Sequence, residues 1–158
     1  MDIQISVALF EDLAAIVELE RQCFMSEAFS RQQISYLLND SNSISLVAKI
    51  KDNGDKEKIV GFAILQLEKD HTETEMLVGH IVTLNVTVAF RRMGVAQKLL
   101  FTCEEKLRLQ GVFECRLEVR QTNYAALKLY RQMGYEETGL LKKYYGKEHG
   151  LYFKKKFC

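Results

Sequence analysis

The stretch from Val86 to Leu100 reads Val-Thr-Val-Ala-Phe-Arg-Arg-Met-Gly-Val-Ala-Gln-Lys-Leu-Leu, and it constrains the chain more than any other. Its β-branched start predicts the end of a strand, and from Val95 the apolar residues recur at helical spacing. Between them stand two arginines, Gly94 and Ala96. A strand that turns through small residues into a helix leaves the first amide N–H groups of that helix without intrahelical partners. Those donors, together with the positive end of the helix dipole, suit a phosphate. The pattern Arg91-x-x-Gly94-x-Ala96 matches neither G-x-x-x-x-G-K-[ST] nor G-x-G-x-x-G. Taken alone it reads first as turn chemistry, and the rest of the chain must decide.

Upstream, Ile3 to Val7 alternates and predicts a strand. Residues 8 to 24 follow with Leu13, Ile16, Val17 and Glu20 at helical spacing, and Glu11 and Asp12 suit a first turn. The run from Phe24 to Phe29 breaks that period and predicts a loop. Ser30 with Gln33 forms a capping box for a second helix to about Leu38. Ile44–Ile50 and Ile59–Leu67 read as strands joined by a polar hairpin loop containing Asn53-Gly54. Asp70–Glu75 is a second polar connection, and Met76–Val88 a long strand.

Downstream, Val95, Ala96, Leu99, Leu100, Cys103 and Leu107 make an apolar stripe, with Lys98, Glu104, Glu105 and Arg108 expected to face out. Gly111 ends that helix. Glu114–Val119 reads as a strand and Tyr124–Met133 as a helix stopped by Gly134. Tyr135–Tyr144 and Leu151–Phe157 close the sheet as an antiparallel pair, with Lys154 to Lys156 the solvated end of an edge strand. This order predicts a mixed sheet with helices on both faces.

Bulk properties exclude several classes. The net charge of +1 over 158 residues argues against direct nucleic-acid binding. No apolar run approaches a membrane span and no signal-peptide core stands at the N-terminus, so no membrane is expected and the chain reads as cytoplasmic. Cys23, Cys103, Cys115 and Cys158 are widely spaced and read as free thiols. His71, His80 and His149 are scattered, and no metal is expected.

The candidate chemistry converges if the middle of the sheet is parallel. In a strand 114–119, Arg116, Glu118 and Arg120 share a face, and Glu118 sits near the carboxyl end, where open α/β sheets place ligands. It could equally pair with a neighbouring arginine. Asn123 stands where a helix N-cap belongs. Tyr130 lies two turns further along the same helix, a usual place for a core tyrosine. His80 shares a face with Val82, Leu84 and Val86 in a regular strand, where a lone histidine is more often structural than catalytic.

Taken together, Gly79 to Gly134 resembles the GCN5-related N-acetyltransferase (GNAT) superfamily, and within it the Nα-acetyltransferases of protein N-termini. Arg91-Arg92-Met93-Gly94-Val95-Ala96 resembles the superfamily's acetyl-CoA pyrophosphate loop, and Gly79-His80-Ile81-Val82-Thr83-Leu84 the strand before it. Leu117-Glu118-Val119-Arg120, Asn123, Ala125-Ala126, Leu129-Tyr130 and Gly134-Tyr135 are similar to the N-terminal and ribosomal-protein alanine acetyltransferases. Lys143-Tyr144-Tyr145 resembles their paired tyrosines at the peptide site, and Phe24-Met25-Ser26-Glu27 their first substrate loop. The chain departs from the pattern at Ala96, at Thr87-Val88-Ala89 in place of an acid-proline turn, and after Tyr145, where no proline follows.

The resemblance implies one domain over residues 1–158 of α/β (α+β) class. Its sheet would be mixed and mostly antiparallel, with a parallel central strand pair and helices on both faces. It implies direct acetyl transfer from acetyl-CoA to the α-amino group of a protein or peptide N-terminus, and it admits a ribosomal protein as target and an auxiliary subunit as partner. Glu118, Tyr130 and His80 would be catalytic. Leu84, Val86, Arg91, Arg92, Gly94, Val95, Ala96, Gln97, Asn123 and Tyr130 would hold acetyl-CoA. Phe24, Met25, Glu27, Tyr144 and Tyr145 would meet the substrate. Transfer to a lysine, polyamine or small-molecule amine stays open, as does a non-catalytic CoA-binding module.

Overall fold

Alternation along the strands divides the apolar residues between two faces of one sheet, and each face is covered by its own helices. The structure is a computed structural model, and it describes residues 2–24, 28–70, 76–146 and 148–157, with only the backbone of Tyr145. In chain order the elements are β1 (Gln4–Val7), a short 3-10 turn (Phe10–Asp12), α1 (Leu13–Phe24), α2 (Arg31–Asn39), β2 (Ser43–Lys51), β3 (Glu57–Lys69) and β4 (Leu77–Val86). A second 3-10 turn (Val88–Phe90), α3 (Val95–Leu109), β5 (Glu114–Arg120), α4 (Tyr124–Gln132), β6 (Glu136–Tyr145) and β7 (Glu148–Lys156) follow. No helix among the described residues is long and apolar enough to cross a membrane.

Seven strands form one sheet in the order β1-β2-β3-β4-β5-β7-β6, and the β4–β5 pair is parallel while the others are antiparallel. Val47, Phe62 and Ile64 look to one face, where Leu13, Ile16 and Leu19 of α1 and Ile34 and Leu37 of α2 cover them. Leu46, Ala48, Ala63 and Leu65 look to the other, against Val95, Leu99, Leu100, Cys103 and Leu107 of α3 and Leu127 and Tyr130 of α4. The capping box is formed as expected: Ser30 Oγ accepts from Gln33 N–H at 3.1 Å, and Gln33 Oε1 accepts from Ser30 N–H at 2.7 Å. Gly79 lets α3 lie close on β4, since a Cβ there would stand 2.7 Å from Leu107 Cδ1.

Five expectations need correction. The helix expected over 8–24 begins at Leu13, and the strand expected to reach Val88 ends at Val86, in each case beside a 3-10 turn. The last strand is not an edge: β7 lies between β5 and β6, so Lys154–Lys156 belong to an interior strand. Glu104 does not face out but is 1% exposed. It lies four residues after Leu100 and three before Leu107, on the border of the apolar stripe. The interior position of β7 carries Lys155 Nζ to within 2.8 Å of its Oε1, and the Tyr135 hydroxyl donates to its Oε2 at 3.0 Å.

The fifth correction bears on function. Register runs from Ile64↔Thr83 to Leu65↔Ile81, so Val82 is an extra residue, a β-bulge in β4. The bulge reverses the alternation. His80 therefore shares its face with Val82, Thr83 and Asn85, on the α1 side, while Ile81, Leu84 and Val86 turn to the α3 side. Sequence alternation had grouped His80 with Leu84 and Val86, because a period of two carries no sign of an inserted residue.

Candidate active site

Among the described residues, β4 pairs with β5 only at Gly79↔Cys115 and His80↔Arg116. Past the bulge the two strands part, and a cleft of about 490 Å³ opens between them. Ile81 to Leu84 form one wall and Leu117 to Arg120 the other, with Asn123, Ala126 and Tyr130 of α4 closing one side. Glu20, Phe24, Phe29, Tyr144 and Gly146 complete the lining. A more open recess of about 600 Å³ lies between β1 and α3, and among the described residues Lys98 is the one ionisable residue in its lining. Acid–base chemistry is therefore concentrated in the cleft.

The wall formed by β4 offers backbone groups. Thr87 N–H donates to Val60 C=O at 2.8 Å, and Gly61 pairs with Val86 in register. Groups alternate along an antiparallel ladder, so Leu84 and Val86 direct their N–H and C=O away from β3, towards the side where β5 has parted. Arg91 Nε donates to the Val86 carbonyl at 3.0 Å, and its guanidinium lies 3.5 Å from Cys23 Sγ. The Arg91 side chain thus braces the turn onto the strand end.

Beyond it the backbone takes positive φ at Arg92 (63°) and Gly94 (83°). Gly94 is the N-cap of α3 and brings no side chain to cap it. The first α-helical bond runs from Lys98 N–H to Gly94 C=O at 3.0 Å, so the amides of Val95, Ala96 and Gln97 precede the helical ladder. Left-handed residues in a turn gather such donors into an anion-binding concavity.

Glu118 and His80 meet within the cleft. His80 Nε2 lies 2.9 Å from both Oε1 and Oε2 of Glu118, while Nδ1 lies 2.9 Å from Glu68 Oε1. An ionised carboxylate only accepts, so each contact is a hydrogen bond when the facing ring nitrogen carries a proton. Burial by itself would lower the His80 pKa, but the bonds and charges of Glu118 and Glu68 outweigh it and the net shift is upward. The Tyr144 hydroxyl donates to Glu118 Oε1 at 3.4 Å. Burial, with the Glu118 charge second, raises the Tyr144 phenol and keeps it protonated.

The remaining site residues fall into three groups. Asn123 is the N-cap of α4, its Oδ1 accepting from Ala126 N–H at 3.2 Å, and it lines the cleft as well. Tyr130 is 7% exposed, lines the cleft and sets its ring edge-on against Tyr135 with centroids 5.7 Å apart. Met25, Glu27 and the Tyr145 side chain lie outside what the structure describes, whereas Phe24 and Tyr144 reach the cleft. No cysteine nucleophile is available from the sheet or α3. Burial pushes the Cys115 thiol up to about 12 and the Cys103 thiol higher still.

Three contributors escaped sequence reasoning. Glu20, 1% exposed, accepts from Thr83 Oγ1 at 2.7 Å, Asn85 Nδ2 at 2.8 Å and Phe29 N–H at 3.0 Å, tying α1 and the segment after it to β4. Its signal was an acid in phase with Leu13 and Ile16. His149 Nδ1 accepts from Lys143 N–H at 2.9 Å and fixes the irregular turn of β6, with Lys143 at φ 51°, that carries Tyr144 inward. Glu68 has no local signal, because its contact to His80 is made across two strands.

Comparison with known proteins bears on the family and the fold. The model of the acetyltransferase (GNAT) family matches residues 13–135. An N-alpha-acetyltransferase of Sulfolobus acidocaldarius is 28% identical over 155 residues, spanning 94% of this chain and 89% of the relative. A [ribosomal protein bS18]-alanine N-acetyltransferase of Haemophilus ducreyi is 33% identical over 109 residues, 69% of this chain and 68% of the relative. Among solved structures, the NatC complex bound to Gag peptide and CoA contains a chain that superposes with a TM-score of 0.87 at 24% identity, each chain being covered over 100% of its length.

Proposed function

The chain belongs to the acetyltransferase (GNAT) family, and we propose that within it the protein moves an acetyl group from acetyl-CoA directly to the free α-amino group of a protein or peptide N-terminus. One observation carries this reading: the Glu118 carboxylate lies in the cleft between parted strands, held by His80 and reached by Tyr144. The amine must be neutral to attack. With reference pKa values of about 7.8 for an α-amine and about 10.4 for a lysine, deprotonation at pH 7 costs about 1 kcal/mol for the first and about 4.6 kcal/mol for the second. A carboxylate–imidazole pair is a base suited to the first. The names of the relatives from Sulfolobus and Haemophilus agree with that choice.

In this reading the amides of Arg92 to Gln97 hold the CoA pyrophosphate, with Gly94 and Ala96 giving the close approach. Leu84 and Val86 present backbone groups along the pantetheine arm, and Asn123 bonds it from α4. Val86 N–H polarises the acetyl carbonyl. The amine lone pair forms the new C–N bond, the C–S bond breaks, and its electron pair leaves on sulfur. Glu118, directly or through a water, receives the amine proton, and the Tyr130 hydroxyl protonates the departing thiolate. Arg91 serves mainly to hold the loop against Val86. Tyr144 and Phe24 line the entry of an extended peptide, with Met25, Glu27 and Tyr145 nearby in the chain. A ribosomal protein as target and an auxiliary subunit as partner are part of the same proposal.

A panel of peptides varying the first two residues, incubated with acetyl-CoA and read by mass, tests the reading. One acetyl group on the α-amine, and none on an internal lysine, is the expected result. Acetylation of lysine side chains or polyamines in preference would overturn it. Tyr130→Phe is expected to lower kcat about tenfold or more with KM values little changed, measured under saturating substrates, because the ring and its packing stay while the proton donor is lost.

A further inference from the structure

We propose that Glu68 is a positioning residue of the acetyl transfer: by accepting from Nδ1–H of His80 it fixes that ring against Glu118 and sets the pH below which the His80–Glu118 pair can no longer take a proton from the amine. The proposal rests on the reading of the cleft as an N-terminal acetyltransferase site.

The geometry is a line of three groups, Glu68 Oε1, the His80 ring and the Glu118 carboxylate, joined by contacts of 2.9 Å at each end. They come from three adjacent strands, β3, β4 and β5, and Glu68 stands on β3 two residues beyond Gln66, the register partner of His80. A histidine held from one side only can turn about its χ angles; held from both, its plane is fixed and Nε2 stays aimed at Glu118. Glu68 is about half exposed and Glu118 is nearly buried, so the outer carboxylate anchors and the inner one meets the substrate.

The charges around the ring favour this division. Arg116, beside His80 in register, is already engaged by Glu114 and by Asp70 Oδ2 at 2.8 Å. Arg120 is engaged by Glu148 at 3.2 Å. From α1, Glu20 is spent on Thr83, Asn85 and Phe29 N–H. Tyr144 of β6 donates to Glu118, and Tyr130 of α4 lines the same cleft. Among the described residues, Glu68 and Glu118 are therefore the carboxylates in direct contact with the imidazole.

The sign follows. Below its raised pKa His80 carries both protons, and the pair has no room for another. Above it the ring is neutral, and a proton received by a Glu118 oxygen from the attacking amine can pass to Nε2, so that Glu118 ends ionised and His80 charged. Activity rises with pH through that pKa. Removing the Glu68 charge lowers the pKa and moves the rise to lower pH.

Two measurements test it. The first is kcat/KM against pH for the wild-type enzyme and Glu68→Gln, using acetyl-CoA and a peptide accepted in the panel. The second is the ring ¹⁵N titration of His80 in the substrate-free protein, its signals assigned by their loss in His80→Gln. Glu68→Gln is expected to lower the titration midpoint by about half a pH unit and the acid limb by the same amount, with plateau kcat down several-fold. An unmoved midpoint overturns the proposal, and so does a moved midpoint with an unmoved acid limb. If no peptide is acetylated, the substrate reading falls while the titration still decides whether Glu68 controls the protonation of His80.

Discussion

Glu118→Gln is expected to lower kcat by about 10²- to 10⁴-fold while acetyl-CoA still binds. The substitution keeps the shape of the side chain, and its amide oxygen can still accept from His80 Nε2–H, so the cleft is not rebuilt. It removes the carboxylate that contacts both His80 and Tyr144 and receives the amine proton in the proposed reaction. The groups assigned to acetyl-CoA are other residues, on the edge of β4, at the start of α3 and at Asn123 of α4. CoA affinity by calorimetry should therefore change less than about threefold, a loss confined to the transition state. A variant that keeps its turnover within a factor of about three would remove Glu118 from the mechanism. The rate should also lose the acid limb that the His80–Glu118 pair imposes on the wild-type profile, a separate signature in the same data.

The largest expected effect on stability sits behind the site. Glu104→Ala is expected to destabilise the fold by about 3 kcal/mol, which for a chain of this size is roughly 10 °C in Tm. Glu104 is 1% exposed, and its two oxygens receive Lys155 Nζ at 2.8 Å and the Tyr135 hydroxyl at 3.0 Å. Its removal leaves an ammonium 22% exposed without its counter-charge, and a buried phenol without its acceptor. Tyr135 packs edge-on against Tyr130, so the same change should loosen the Tyr130 side of the cleft. Glu104→Leu combined with Lys155→Met should recover much of the loss, since replacing both members of a buried pair with apolar groups is often neutral. Thermal melts of the three proteins decide it: equal Tm values for wild type and Glu104→Ala would show that the pair contributes nothing.

Much of this protein was legible before any coordinates. Periodicity located the helices and strands to within a few residues, because each buries a face whose spacing is written locally. The Gly94 turn could be read from Val86 to Leu100 for the same reason: a strand end, small residues and a helix start are neighbours in sequence. The grouping of Glu118, Asn123 and Tyr130 followed from a resemblance to a family.

What the sequence could not supply were the facts that arise between strands. The extra residue at Val82 changes no composition and breaks no pattern of apolar residues. Yet it turns Leu84 and Val86 away from His80 and leaves β4 parted from β5 after a two-residue ladder. The insertion of β7 between β5 and β6 converted three lysines from an edge into an interior strand and gave buried Glu104 its partner. Glu68 meets His80 only because β3 and β4 lie side by side. Local hydrophobic spacing determines which segments become helix or strand, because that free energy is local. Register, strand order and the facing of charges are settled by contacts between distant residues, and those only the tertiary structure decided.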